Sequence, residues 1–190
     1  MNAEVVCSAV NGDRGVWLRA DTTRAISRTM PISEIAVAIG TAPPRFDALS
    51  VSEAELLPAD SVGYVYCAGL EALANTDIQR VLAAAVRILR PMGVVRVATQ
   101  DLDAIVYRYL LGPQTALSSG ATRAQQLNEW RKNEIAQFIF NEDDLRAELS
   151  RAGFVDLWRL PAGASSIDIF LDCEAQDSDA LVLEGRKPAR

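Results

Sequence analysis

Leu56-Leu57-Pro58-Ala59-Asp60-Ser61, Val62-Gly63-Tyr64-Val65-Tyr66-Cys67, Ile78 to Arg90, Pro91-Met92-Gly93, Val94-Val95-Arg96-Val97-Ala98 and Gln100-Asp101-Leu102-Asp103 follow one another with little between them. They read as turn, strand, helix, turn, strand and acidic loop. The apolar run at 62–67 has no polar alternation, as expected of a strand covered on both faces. Ile78, Val81, Leu82, Ala85, Val86 and Leu89 recur at helical spacing and make one apolar face. Thr76 with Gln79 three residues on forms a capping box that predicts a helix over 77–90. Pro91 and Gly93 predict its stop, and a strand over 94–98 follows.

Working outward, Glu4–Ser8, Val16–Asp21 and Phe46–Val51 read as three further strands before this stretch. A short helix is expected at 33–39. After it, 103–111 and 122–138 read as helical, divided by a Gly-, Pro- and Ser-marked loop. Asn141 with Asp143 and Asp144 predicts a capped helix start, and Gly153 its end. Phe154–Leu160 and Leu181–Glu184 complete seven strands. Strands alternating with helices predict an α/β protein with a mostly parallel sheet. The 190 residues predict one domain spanning 1–190, with 112–140 as a cap or interface segment.

Composition removes several function classes. There is no histidine, so His-ligated zinc and His-based triads are excluded, and any general base must be Asp, Glu, Tyr, Lys or Cys. No metal site is expected. Cys7, Cys67 and Cys173 are far apart and form no paired motif, which fits a reducing cytoplasm. A formal charge of −6 argues against nucleic acid or an anionic membrane surface as partner. No apolar run reaches the roughly 20 residues of a membrane span, and the start Met1-Asn2-Ala3-Glu4 lacks the marks of a signal peptide.

The 56–110 stretch resembles the class I S-adenosylmethionine (SAM) dependent methyltransferases, in particular the short members with a Pro-Gly-Gly turn before the fifth strand and a Pro-Asp-Leu-Asp turn after it. Asn141-Glu142-Asp143-Asp144-Leu145 through Gly153-Phe154 and Leu181-Val182-Leu183-Glu184-Gly185-Arg186-Lys187-Pro188 carry the same likeness. The resemblance implies a Rossmann-like fold with sheet order 3-2-1-4-5-7-6 and an antiparallel last strand. It implies SAM as cofactor, and methyl transfer to a small-molecule or saccharide-type acceptor.

The same resemblance nominates residues. Ser8, Val10 and Gly12 fall in the glycine-rich loop region after strand one, with Val10 where the family has a glycine. Asp21 ends strand two where an acid takes the ribose hydroxyls. Ser52 and Glu53 follow strand three, where Val51 replaces the family's acid. Cys67 ends strand four, and Leu70-Glu71 follows where the family has flanking histidines. Asp101 and Glu71 are the candidate catalytic groups. Asp101 carries two readings, a base or orienting acid and a helix cap. The altered positions support an alternative function: a methyltransferase-like domain that has lost its cofactor and acts as a partner-binding or regulatory subunit, or in another reaction. With strand one starting near Glu4, the crevice rim has no covering segment before it, so homo- or hetero-oligomer formation through 22–45 and 112–140 is expected.

Overall fold

A computed structural model of the chain describes residues 15–19, 46–50, 54–111, 122, 124–125, 138–171, 173–174 and 180–189. They form six strands and three helices: β1 Gly15–Arg19, β2 Phe46–Ser50, β3 Val62–Ala68, α1 Asn75–Ile88, β4 Leu89–Gln100, α2 Leu102–Leu111, α3 Glu142–Ala152, β5 Val155–Leu160 and β6 Ala180–Arg186. The sheet order is β2-β1-β3-β4-β6-β5. The first four strands in that order are parallel. β6 runs antiparallel to both β4 and β5. The chain is thus α/β with a mixed sheet, and its last strand is the inverted one, as expected.

One part of the expected order does not hold. β1 pairs directly with β3, Val16 with Val65 through Arg19 with Ala68, so no strand lies between them. The expected strand at Glu4–Ser8, which should have stood there, lies outside the described residues, as does the expected helix at 33–39. Gly15–Arg19 itself takes the place beside β3.

Two packed layers flank the sheet. On one face, Val65, Cys67, Val95, Val97, Leu181 and Leu183 meet Ile78, Val81, Leu82, Ala85 and Ile88 of α1 and Leu145 and Leu149 of α3. The pleat sends Tyr66, Val94, Ala98 and Val182 to the other face, where Ala162, Ile169 and Phe170 cover them. That cover comes from the segment 161–171 after β5, which carries one short 3-10 turn at Asp168–Phe170.

Local chemistry accounts for the element ends. Asn141 caps α3, its side chain accepting from the Asp144 amide at 2.8 Å, and Gly153 ends it at φ 105°. The capping box at Thr76 is not used. α1 starts earlier, at Asn75, because the Asp77 and Ile78 amides both reach the Ala74 carbonyl at 2.9 and 3.0 Å. Pro91-Met92-Gly93 does not separate helix from strand either. β4 starts at Leu89 and runs through it, with Met92 at φ 64°. The end of β6 supports this path: Met92 donates to the Lys187 carbonyl and Lys187 to the Gly93 carbonyl, at 3.1 and 2.9 Å.

Among the described residues β5 is an edge strand, with an irregular register between Val155 and Trp158, where Asp156 adopts φ 49°. Arg146 of α3 reaches over it and donates to the Leu157 carbonyl at 2.9 Å.

Candidate functional site

β1, β2, β3 and β4 are parallel, so their carboxyl ends, Arg19, Ser50, Ala68 and Gln100, share one edge of the sheet. Ligands of open α/β sheets bind outside that edge, where the connections diverge to opposite sides. Here the divergence lies between β1 and β3: β2 is beyond β1, and β4 beyond β3.

After β3 the chain turns at Gly69, φ 80°, into a 3-10 turn at Leu70–Ala72. This left-handed geometry suits glycine. It brings Glu71 beside β4, where Glu71 Oε2 accepts from the Thr99 hydroxyl at 2.8 Å. After β4, Asp101 starts α2. Its Oδ1 accepts from the Asp103 amide at 2.9 Å, which is the helix-cap reading of this residue. Its Oδ2 pairs with Arg159 Nη2 at 2.7 Å, and the residue is 4% exposed.

Arg159 comes from the carboxyl end of β5 and is shared. Its Nη1 donates to Glu142 Oε2 at 3.0 Å, and Glu142 Oε1 also pairs with Arg146 at 2.7 Å. The hydrogen bond to Glu142, with the charge of Asp101 beside it, raises the Arg159 pKa against a smaller loss from burial. The hydrogen bonds from Arg146 and then Arg159 hold the Glu142 carboxyl below its ordinary value. A continuous ion chain therefore ties the loop after β4 to β5 and to the start of α3.

The segment 138–140 lies across the edge between these two acids. The Phe138 amide donates to the Glu71 carbonyl at 3.2 Å, and Leu102 donates to the Phe140 carbonyl at 2.9 Å. Asp101 and Phe140 form a parallel bridge, and the Phe138 and Phe140 rings meet edge-on at 4.7 Å.

Of the residues nominated from sequence, Glu71, Cys67 and Asp101 can be placed. All three stand at the carboxyl ends of β3 and β4. Cys67 is fully buried on the α1 face, and burial pushes its thiol up to about 12. It is a small core residue rather than a reactive thiolate. Ser8, Val10, Gly12, Asp21, Ser52 and Glu53 lie outside the described residues. So do most of 112–137 and all of 22–45.

The end of β3 reads Cys67-Ala68-Gly69, three small residues, whereas the sequence leaving β1 runs Ala20-Asp21-Thr22-Thr23, with no glycine between Gly15 and Gly40. No group of three or more metal-ligating side chains exists among the described residues. No helix among them is long and apolar enough to cross a membrane.

Sequence reasoning missed the partners. Arg159, Glu142 and Thr99, which hold Asp101 and Glu71, were not nominated. It also missed Arg96, a fully buried arginine in the middle of β4. Arg96 Nη1 donates to Glu184 Oε1 at 2.6 Å, and Nε and Nη2 hold Glu174 at 2.9 and 2.5 Å. Burial works against its charge, yet the hydrogen bonds and charges of Glu174 and Glu184 outweigh that and raise its pKa. A signal existed: one arginine in Val94-Val95-Arg96-Val97-Ala98 and one glutamate in Leu181-Val182-Leu183-Glu184 are single charges in apolar strands, which need each other.

No protein-family model matches the sequence, and no curated protein matches it. Solved structures similar to it include a SAM-dependent methyltransferase from Thermotoga maritima, at 21% identity and TM-score 0.48 over 92% of this chain and 81% of that one. A second is a chain from the Haloferax volcanii complex between the Trm112 methyltransferase activator and a methyltransferase, at 16% identity and TM-score 0.49 over 94% and 84%. A third is human N-acetylserotonin methyltransferase in complex with SAM, at 16% identity and TM-score 0.45 over 92% of this chain and 40% of that one.

Proposed function

We propose that the chain is a methyltransferase-type domain that transfers a methyl group from SAM to a small-molecule or saccharide-type acceptor. The observation that supports this most is the edge formed by parallel β3 and β4. There a turn of small residues, Cys67-Ala68-Gly69, stands next to the acid-bearing turns of Glu71 and Asp101. When bound, SAM supplies an electrophilic methyl group. Gly69 and its neighbours would let it approach the backbone, with Asp21, Ser52 and Glu53 as further candidates from sequence. The protein's part is then to hold two reactants in line. Asp101 is engaged by Arg159 and by the α2 amide, so its role is to orient rather than to abstract a proton. That suits an acceptor that attacks without losing a proton first.

A second reading is supported by the direct pairing of β1 with β3, which sends a glycine-free sequence from the strand end at the crevice. In this reading the domain has lost SAM and serves as a partner-binding or regulatory subunit. Calorimetric titration with SAM and S-adenosylhomocysteine separates the two. Saturable binding supports the enzyme, with a dissociation constant above roughly 100 μM expected from the altered loop, or about −5.5 kcal/mol. Absence of heat with both compounds at millimolar concentration would sink the enzyme reading.

A further inference from the structure

Apolar pattern alone is a poor guide to how β4 and β6 align. β4 contains Val94-Val95-Arg96-Val97-Ala98, and β6 contains Ala180-Leu181-Val182-Leu183-Glu184. A strand with one wet face resists a one-residue slip, because the slip turns its apolar set toward water. Here both faces are covered. α1 and α3 lie against one, and Ala162, Ile169 and Phe170 against the other. Val, Ala and Leu fit either face of such a pair, so their burial discriminates weakly between neighbouring registers.

The charges remove the ambiguity. Among the described residues the buried charged side chains are Arg96, Asp101 and Glu184, and Arg96 stands directly opposite Glu184 in the ladder. Both are 0% exposed, and Arg96 Nη1 donates to Glu184 Oε1 at 2.6 Å. The rest of the guanidinium holds Glu174 and the Ala164 carbonyl, and Ser165 donates to Glu184 Oε1 at 2.7 Å. A slip of one residue would set Arg96 against Leu183 or Gly185, and a slip of two against Val182 or Arg186. Each separates two dry charges, which costs more than any exchange of one aliphatic neighbour for another. Lys187, just past β6, is also bonded, to Asp60 at 2.7 Å and to the Leu89 carbonyl at 2.7 Å. The Asp60 side chain is 34% exposed, so that ion pair is the weaker of the two.

β5 is joined to β4 through β6, with Trp158 facing Glu184 and Arg159 facing Leu183. The β4–β6 register therefore decides where Arg159 arrives relative to Asp101. A slip of two residues displaces it by about 7 Å along the strand, which breaks the 2.7 Å contact. We propose that Arg96 and Glu184 are the register pin of the β6–β5 pair on β4, and that they are thereby positioning residues for the Asp101–Arg159 contact at the carboxyl edge. Fixing register is a known use of a polar group in an apolar setting. The pin acts in the same way whether or not the edge holds SAM.

Exchanging two residues of β4 in the full chain, Val94→Arg with Arg96→Val, tests it. Positions 94 and 96 share a face of the strand, and the composition stays the same. In the wild type, cross-strand backbone nuclear Overhauser contacts should link Val95 with Gly185 and Val97 with Leu183. In the exchanged chain β6 should follow the guanidinium by two residues, linking Val95 with Leu183 and Val97 with Leu181. The contact at the edge should go with it. Arg159→Met should raise the unfolding equilibrium constant by about three- to tenfold in the wild type, and by less than about twofold in the exchanged chain. The charge-free chain Arg96→Met/Glu174→Gln/Glu184→Leu should fold, as apolar residues can replace a buried ion group, and should show more than one set of β4–β6 contacts. Lys187→Met should keep the wild-type set alone. Wild-type contacts in the exchanged chain, a single set in the charge-free chain or a second set in Lys187→Met would each overturn the pin. So would equal effects of Arg159→Met in the two backgrounds. Failure of the exchanged or charge-free chain to fold would overturn it as well, since a pin chooses between registers that can each fold.

Discussion

Arg159 Nη2 stands 2.7 Å from Asp101 Oδ2, joining the carboxyl end of β5 to the start of α2 through an acid that is 4% exposed. The pair turns a nominal base into a fastening. Replacing Asp101 with Asn keeps a cap acceptor but deletes the charge that Arg159 meets. We expect Asp101→Asn to lower unfolding free energy by about 1–3 kcal/mol, read by urea denaturation. A chain of unchanged stability but abolished methyl transfer would assign Asp101 to the chemistry instead.

The same ion chain gives a pH dependence. The Glu142 carboxyl is held below its ordinary value of 4.5 in the folded state by Arg146 and Arg159. Its contribution is therefore present above that value and is lost as pH falls through the lowered folded one. Glu142 is partly exposed, so the effect is small, about 0.5 kcal/mol after screening. Stability measured from pH 6 to pH 3 should fall less steeply in Glu142→Gln than in the wild type. Parallel curves would remove Glu142 from the account.

Cys67 gives a kinetic test. With its thiol pushed up to about 12 and no exposed surface, thiolate is absent at neutral pH. Iodoacetamide labelling of the Cys67 peptide should track global unfolding in a urea series. Rapid labelling of the native protein at pH 8 would mean that the end of β3 is open.

Gly93 and Gly185 differ in what a methyl group would meet. A Cβ on Gly93 would lie 2.8 Å from the Arg90 carbonyl and 3.0 Å from the Gly63 carbonyl, both backbone. On Gly185 it would meet the tip of Leu157 at 2.5 Å, a side chain at the sheet edge that can turn away. Gly93→Ala should cost about 1–3 kcal/mol and Gly185→Ala less than about 1, by thermal denaturation. The reverse order would show that the Pro91-Met92-Gly93 path is looser than its hydrogen bonds to Lys187 imply.

The β1–β3 pairing makes a prediction about ligand contacts. β1 is the strand beside β3, and Asp21 follows the end of β1 by two residues in sequence, so we expect it rather than Ser8–Gly12 to serve SAM or S-adenosylhomocysteine. Asp21→Ala should weaken titrated binding by at least about tenfold, the scale of a lost charge-assisted hydrogen bond. Val10→Gly should leave it unchanged. A gain of affinity in Val10→Gly would restore the loop position that the family resemblance implies.

Much of this fold was legible because its signals are local. The apolar runs of β3 and β4, the 3.6-residue stripe of α1, Asn141 and Gly153 all act within a few residues of themselves. The order of the described strands was legible except at one pairing: the neighbour of Gly15–Arg19 was not, since it is chosen by a sheet assembled from distant segments. Thr76 and Gln79 fit a helix start that the chain makes two residues earlier, because the Ala74 carbonyl already takes two amides. At the site, Glu71 and Asp101 were placed correctly at the strand ends. Their hydrogen-bond partners are Thr99 and Arg159, 28 and 58 residues away in sequence, and no spacing rule links such pairs.

The kink at Asp156 and the Arg146 guanidinium on the Leu157 carbonyl matter for life at high concentration. A flat outer strand reading Val-Asp-Leu-Trp-Arg-Leu would offer another chain a row of unpaired backbone amides and carbonyls. The kink spoils the alignment and the guanidinium occupies a carbonyl that a neighbour would seek. This border of the molecule is thereby shielded from runaway strand addition, and the shielding depends on α3 remaining docked.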